Sequence, residues 1–457
     1  MMHALGTDSI GDDLIVRPAT ATDTEALVAF TADVLRHQDA PVPDAHTAAW
    51  TRDLMEGRHP HFAPDQFFIV EEVQSVAIIA SACLIPQTWR YGDVAITVGQ
   101  PELIGTRADY RGRGLVRALF SALHECAVAR GLHLLAIDGV PYFYRQFGYE
   151  MALERLGGRV LNAARLPTGD RHGAYRVRAA TDADVPSIRR IADQATGRYL
   201  LTSCRDDRLW RYEISGRQPM SFYRSELCVV VGADDRPVGF LAHASHTARL
   251  AGATLALYAC ELAAPTSWES VTPSLLAYVR STGAHYVRVG GDDFRYVGLW
   301  LGTDHPLYAA IESLRPQVAP AYAWYVRVPN LPGFVRHVAP VLEQRLTRSA
   351  FAQHCGELRV SFYRGGLRLQ FDGGRLVDVT AWQQANDLVG VERLQPTTAA
   401  RADAFFPGLT FLQLLFGYRS LDELAYAFPD CLVRTDNARA LLTVLFPKRP
   451  SSVWPVV

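Results

Sequence analysis

The stretch Glu102-Leu-Ile-Gly-Thr-Arg-Ala-Asp-Tyr-Arg-Gly-Arg-Gly-Leu-Val-Arg-Ala-Leu-Phe120 decides the fold. Its apolar start reads as a strand that ends near Thr106. Val116, Leu119, Phe120, Leu123 and Cys126 then recur at helical spacing, so a helix opens just after Gly114. A strand, a glycine loop and a helix N-terminus in that order make an anion site. The first-turn N–H groups of a helix have no partners within it, and its dipole adds positive potential there. Gly112 and Gly114 let backbone approach a phosphate closely. Arg111, Arg113 and Arg117 supply charge around it. There is no Gly-Lys-Ser/Thr, so this is not a Walker loop, and no G-x-G-x-x-G, so it is not a dinucleotide fingerprint. From this stretch alone, a solvated arginine-rich helix start would look the same.

Working outward, a strand over Leu132 to Asp138 leads into Gly139-Val-Pro-Tyr-Phe-Tyr-Arg-Gln-Phe-Gly-Tyr149. Upstream, Leu14-Ile-Val-Arg17 is followed by Pro-Ala-Thr-Ala-Thr-Asp. About 160 residues later Tyr175-Arg-Val-Arg178 is followed by Ala-Ala-Thr-Asp-Ala-Asp. A helix pattern follows each: Leu27, Phe30, Thr31 and Val34 in one, Ile188, Ile191 and Ala192 in the other, with Thr22 and Glu25 at capping-box spacing. The parallel continues through strands at Phe67 to Val70 and Leu227 to Val231, then second strands near Val76 to Leu84 and Pro237 to Ala244. Glu102-Leu-Ile104 matches Glu261-Leu-Ala263. Each leads to a helix expected to end at a glycine, Gly131 or Gly283, before a strand at His133 to Asp138 or His285 to Val289. A period this long predicts two related domains rather than a solenoid. The first copy is about seven residues longer between its Glu and its helix-ending Gly, and the surplus contains Arg107 to Gly114.

From about Tyr325 the chain changes character. A helix is expected over Phe334 to Leu346, and strands over Leu358 to Tyr363, Leu367 to Phe371 and Gly374 to Val379. Helices follow at Ala399 to Phe405, Thr410 to Phe416, Ser420 to Ala427 and Ala438 to Leu445. The apolar face of Phe411, Leu414, Leu415 and Tyr418 reads as core rather than as a lipid cavity. The last residues hold three prolines but also Val453, Trp454, Val456 and Val457, so the tail is expected to pack rather than fray.

The loop spacing R-x-x-G-x-(G/A) resembles the coenzyme A pyrophosphate loop of the GNAT acyltransferase superfamily, with Val116 at its sixth position where the family has Gly or Ala. Tyr144 through Gly148 and Tyr149 resemble the Y-x-x-x-G-(F/Y) segment that follows the fifth strand of those enzymes. The whole arrangement resembles the enhanced intracellular survival (Eis) family of bacterial N-acetyltransferases. That resemblance implies a mixed α/β (α+β) architecture of tandem GNAT folds, the second lacking the coenzyme A loop, followed by a sterol-carrier-protein-like α+β domain. The domains would be 1–155, which binds acetyl-CoA, the degenerate copy 156–324, and 325–457. By position, Ile104, Gly105 and Thr106 would pair with the pantetheine arm. Arg111, Gly112, Arg113, Gly114, Leu115, Val116 and Arg117 would hold the pyrophosphate, and Gly139 and Val140 would lie beside the cofactor on the splayed neighbouring strand. The family places its C-terminal carboxylate in the first domain's active site, which here would be Val457.

The implied reaction is acetyl transfer from the cosubstrate acetyl-CoA to a primary amine: a small amine, an aminoglycoside or a lysine. Tyr144 is the candidate general acid, because a phenol near pKa 10 can protonate a leaving thiolate. Tyr142 and Tyr149 are alternatives, as is a purely packing role. The Val457 carboxylate is the candidate base or amine anchor, and Glu102 is its rival. Glu102 ranks lower because Glu261 stands at the matching place in the copy without the loop. The contrasting function is a non-catalytic protein that binds coenzyme A and a hydrophobic ligand.

Composition supports a small-molecule enzyme. Of 457 residues, 46 are Lys or Arg and 47 are Asp or Glu, without the basic excess of a nucleic-acid protein. The longest apolar stretch, Val76 to Ile85, is about ten residues, too short to span a bilayer. No leader is expected at Met1 to Asp13. The seven cysteines are scattered without C-x-x-C, which suggests buried thiols in a reducing cytoplasm. His59-Pro-His61 and His243-Ala-Ser-His246 do not read as metal ligands, since strand positions three apart face opposite sides; no metal is expected. Homo-oligomerisation is implied by the family resemblance alone.

Overall fold

The structure, a computed structural model, describes residues 8–9, 13–37, 39–168, 174–249, 252–290, 293–382, 402–455 and 457. The first sheet begins with Leu14–Pro18, Phe67–Glu72, Ala77–Tyr91 and Val94–Thr106, all antiparallel, then Leu134–Ile137 parallel to the last of these. The helix Thr24–Val34 covers one face with Leu27, Phe30 and Thr31, and the helix Leu115–Ala129 covers the other with Leu115, Leu119, Phe120 and Leu123. The cap of the first helix differs from the expected Thr22–Glu25. Thr20 and Asp23 form the box, and the Asp23 carboxylate accepts from the Thr20 backbone and from both arms of Arg17 (2.7, 2.9 and 2.8 Å).

The second copy repeats this clamp. Asp184 accepts from the Thr181 backbone at 2.8 Å and from Arg178 at 2.7 and 2.8 Å. In both copies the arginine holds the aspartate at about 2, below the usual carboxylate range. Its sheet orders Arg176–Ala179, Ser225–Val231, Pro237–Ala244, Ala253–Leu262 and Phe294–Leu299. The expected helix end at Gly283 and strand at His285 to Val289 are corrected. One helix, Trp268–Gly290, runs through both, and the strand is Phe294–Leu299. Gly283 is there for space: a Cβ would lie 2.3 Å from the Phe294 ring. Glycine at a close approach and glycine at a helix end look alike in sequence.

The copies exchange strands. Tyr322–Arg327, which follows the second copy, inserts between Leu134–Ile137 and Glu150–Arg155 of the first sheet. Gly158–Asn162, which follows the first copy, inserts between Phe294–Leu299 and Gln317–Ala319 of the second. The expected boundary at 324 therefore falls inside a strand of the first sheet. Leu201–Cys204 also crosses over, pairing with the far end of Ala77–Tyr91.

The third unit has a five-stranded sheet, with Gly356–Ser361, Gly366–Asp372 and Arg375–Trp382 antiparallel as expected. The expected helix over Phe334 to Leu346 is two, Leu331–His337 and Ala339–Thr347, separated at Val338. Instead of a helix at Ala399 to Phe405, Ala404–Phe405 pairs in parallel with Val360 and Ser361, while 399–401 lie outside the described residues. Phe411, Leu414 and Leu415 are buried in a core continuous with Tyr91, Ile96 and Val98 of the first sheet, so this unit is bound to the first copy by packing. Six cysteines are buried or half-buried, and Cys355 is exposed. His243 is buried against the Tyr278 hydroxyl at 2.9 Å, and His246 stacks on His46. Among the described residues no helix is long and apolar enough to cross a membrane, and no group of three His, Cys, Asp or Glu could hold a metal ion.

The tail returns to the first two copies. Leu200 donates its backbone N–H to Pro450 at 2.8 Å and Ser452 donates to Leu201 at 2.9 Å. Ser203 and Arg205 donate to the Trp454 carbonyl at 2.8 and 2.6 Å. Val457 ends among Phe30, Trp50, Ile85 and Leu103 of the first copy, only 1% exposed.

Candidate active site

Two features open the first sheet at Glu102. Cys83 pairs with Glu102 but Ser81 pairs with Gly105, so Ala82 on one strand faces both Leu103 and Ile104 on the other: a β-bulge. Leu103 takes a positive φ of 51° there and is buried, a backbone strain held by its surroundings. The second feature is a splay. Val94–Thr106 and Leu134–Ile137 pair only at Val98–Leu134 and Gly99–Leu135, and the ladder ends there. Beyond that point both strands offer backbone groups outside the ladder to whatever enters.

Ile104, Gly105 and Thr106 lie on one side of this wedge. Gly105 closes against the first helix, where a Cβ would come within 2.8 Å of Val34. Thr106 Oγ1 is buried without a hydrogen-bond partner. Then come Gly112 (φ 77°) and Gly114 (φ 80°), both left-handed and both with open space where a Cβ would point. Gly114 caps Leu115–Ala129 without any side-chain bond, leaving the first-turn N–H groups available. Leu115 is buried and Val116 partly so, which accounts for a valine at that place: its side chain turns inward. Arg111, Arg113 and Arg117 are exposed, and their hydrogen bonds go to Thr106 O, Asp109 O and Gln146. None of these partners neutralises the charge. An orphaned hydroxyl, two open glycines, a bare helix end and three arginines fit a diphosphate.

Gly139 and Val140 lie across the wedge. Gly139 has φ 127°, and a Cβ there would sit 3.3 Å from the Tyr144 hydroxyl. The structure thus brings Tyr144 to the mouth of the splay. It is 7% exposed; burial first, and then the charge of Glu102, push its hydroxyl up to about 12. The alternatives separate by location. Tyr149 is fully buried with its hydroxyl on His124 at 3.1 Å, and Tyr142 is 73% exposed.

Glu102 is half-buried at the bulge. Gln100 donates to it at 2.6 Å, Gln87 donates to Gln100 at 2.6 Å, and Trp89 donates to Gln87 at 2.8 Å. A chain of donors thus ends on the carboxylate and orients it. Burial pushes that carboxyl up to about 7, against the opposing effects of Gln100 and, through space, Arg155. Gln87 and Gln100 were not legible as site residues, since only the register of their two strands brings them together. Val457 reaches the same region by another route. Its backbone oxygen accepts from Arg217, which is buried and paired with Glu213 at 2.9 Å. Beside these groups a cavity of about 260 Å³ opens between the copies and the tail, with Arg155, Arg217, Tyr223 and Trp454 in its wall.

Residues 15–152 match the family model for an acetyltransferase (GNAT) domain. No curated protein matches the chain. Solved structures share its fold across nearly the whole length. A conserved protein from Enterococcus faecalis V583, described as a probable N-acyltransferase, is 14% identical with a TM-score of 0.67, over 97% of this chain and 99% of that one. A GCN5-related N-acetyltransferase from Kribbella flavida is 17% identical with a TM-score of 0.62, over 98% and 100%. Eis1 from Mycobacterium abscessus is 12% identical with a TM-score of 0.57, over 95% and 98%. At such identities the likeness is one of fold.

Proposed function

We propose that the protein, whose residues 15–152 match the GNAT acetyltransferase domain model, transfers an acetyl group from acetyl-CoA to a primary amine, with one active site per chain in the first copy. The observation that carries this reading is the Tyr144 hydroxyl at the mouth of the splay, with the arginine–glycine loop across the wedge. Acetyl-CoA brings the thioester; the chain holds, orients and moves protons. Ile104 to Thr106 and Gly139 with Val140 line the pantetheine path, and Arg111 to Arg117 hold the diphosphate.

Glu102 is assigned as general base. A carboxyl near pKa 7 is ionised often enough at neutral pH, and is basic enough, to take a proton from an ammonium group. The freed amine then forms its C–N bond as the C–S bond breaks. Tyr144, protonated at all pH below about 12, gives its proton to the departing sulfur. It recovers one from the new amide nitrogen, so that the net release is a single proton. Val457, whose oxygen is already engaged by Arg217, is assigned as an anchor at the inner end of the acceptor cavity rather than as the base. The third unit, including any sterol-carrier-like character, serves this site by directing the tail.

A thiol-release assay with an amine panel tests the proposal. Tyr144→Phe is expected to lower kcat by roughly 10²- to 10⁴-fold with coenzyme A affinity nearly intact. Unchanged kcat would remove Tyr144 from the mechanism.

A further inference from the structure

The acceptor cavity has a composition that narrows the amine, and this step rests on the function proposed above. The space of about 260 Å³ falls just under the usual range for drug-sized ligands, so the acceptor is small. Six rings form much of the wall: Phe222, Tyr223, Tyr258, Trp300, Trp324 and Trp454. They come from the second copy, an exchanged strand and the tail, and Glu154 and Arg155 of the first copy complete the wall, so the cavity exists only in the assembled chain.

The charges in the wall are already matched. Arg155 pairs with Asp138, Arg217 with Glu213 at 2.9 Å and Arg224 with Glu226 at 3.5 Å. Glu154 is the wall carboxylate left over, its Oε2 buried without a partner. Glu102 is outside the wall, but Arg155 and Tyr223, which are in it, both feel its charge. An acceptor carrying several ammonium groups would bring them among Arg155, Arg217 and Arg224, with few carboxylates to receive them. One ammonium group directed toward Glu102, on a flat apolar body, meets complementary surface throughout. The rings attract the cation through their faces, and the body gains aromatic packing.

We infer that the preferred acceptor is a small arylalkyl monoamine, its ring held among Phe222, Trp300 and Trp324 and its amine presented to Glu102, rather than a polyamine or an aminoglycoside.

The test uses the full chain with acetyl-CoA and compares tryptamine and phenethylamine with spermidine and kanamycin by thiol release. The expected result is a kcat/KM at least about tenfold higher for the arylalkylamines, since each well-packed ring adds of order 1 kcal/mol. Equal or better use of spermidine or kanamycin would overturn the inference while leaving the acetyltransferase reading in place. Phe222→Ala supplies a second readout, because a side chain 53% exposed can be removed without emptying the core. It should raise the KM for tryptamine about fivefold or more. No change in that KM would also count against the inference. Calorimetric titration of tryptamine separates the remaining case. If no amine turns over but tryptamine binds, and binds more weakly to Phe222→Ala, the acetyltransferase reading fails and the cavity assignment stands. If tryptamine neither turns over nor binds, the cavity assignment fails.

Discussion

Arg17 grips Asp23 in the first copy as Arg178 grips Asp184 in the second, with matching two-pronged geometry and the same threonine cap. Glu102 and Glu261, matched by sequence, part in register: with Arg17 opposite Ile69 and Arg178 opposite Val229, the ladders put Gly105 at the place of Glu261, and the two carboxylates have opposite surroundings. Glu102 meets a neutral amide donor at a strained bulge, and burial pushes it up. Glu261 is gripped by Arg198 at 2.5 Å, has His305 at 3.8 Å, and sits in a regular ladder opposite Phe240. The comparison teaches that the scaffold of a duplicated fold constrains residue and partner together, whereas reactivity depends on the partner. A carboxylate locked to an arginine is a brace; a carboxylate held by a neutral amide and raised by burial titrates near neutral pH.

The largest expected effects fall on that pair. Glu102→Gln should lower kcat/KM by roughly 10²- to 10⁴-fold, and the wild-type profile should rise through about pH 7 as Glu102 loses its proton. The same change should raise the thermal midpoint at pH 8 but not at pH 4. A carboxyl with a raised pKa ionises more readily unfolded than folded, so stability falls as pH climbs from the ordinary carboxylate range toward about 7, and the full cost is present above that. Glu261→Gln should instead lower the midpoint, by stranding Arg198, and leave kcat/KM within about twofold. An equal loss of turnover in both variants would collapse the distinction.

Glycines sharpen it at a middle scale. Gly114→Ala puts a side chain at φ 80°, at a cost of about 1–2 kcal/mol, and should raise the KM for acetyl-CoA about tenfold as the loop shifts. Gly283→Ala in the second copy meets the Phe294 ring. It should reduce stability by about 1–3 kcal/mol with that KM unmoved. Steady-state kinetics beside urea unfolding would separate the two.

The smallest effects should be equal. Asp23→Ala and Asp184→Ala are each expected to cost about 1–2 kcal/mol at neutral pH. Both carboxyls are held at about 2, so the contribution is complete above roughly pH 4 and fades as pH falls toward 2. Unequal losses in urea titrations at pH 7 would show that the clamps are alike in form only.

The duplication, the loop, Tyr144 and the packed tail were legible because each has local grammar: a repeated offset, glycine spacing, an apolar run after prolines. Glu102 ranks below Val457 in sequence only because Glu261 looks like its counterpart, whereas the register puts Gly105 there and gives Glu102 the neutral donor Gln100 in place of Arg198. The Gln87–Gln100 contact depends on register between two long strands, which alternation alone does not fix. The aromatic cavity was illegible for a related reason. Its walls are drawn from segments as far apart as Arg155 and Trp454, and no local pattern brings them together.

The exchanged strands also impose an order on synthesis. When residue 155 emerges from the ribosome, the first sheet has a gap between Leu134–Ile137 and Glu150–Arg155, which only Tyr322–Arg327 can fill. Two open edges must therefore wait, exposed to wrong pairing, for about 170 further residues to follow. The second copy, which is shorter where the first has Arg107 to Gly114, cannot then be discarded: the strand that follows it completes the sheet of the first.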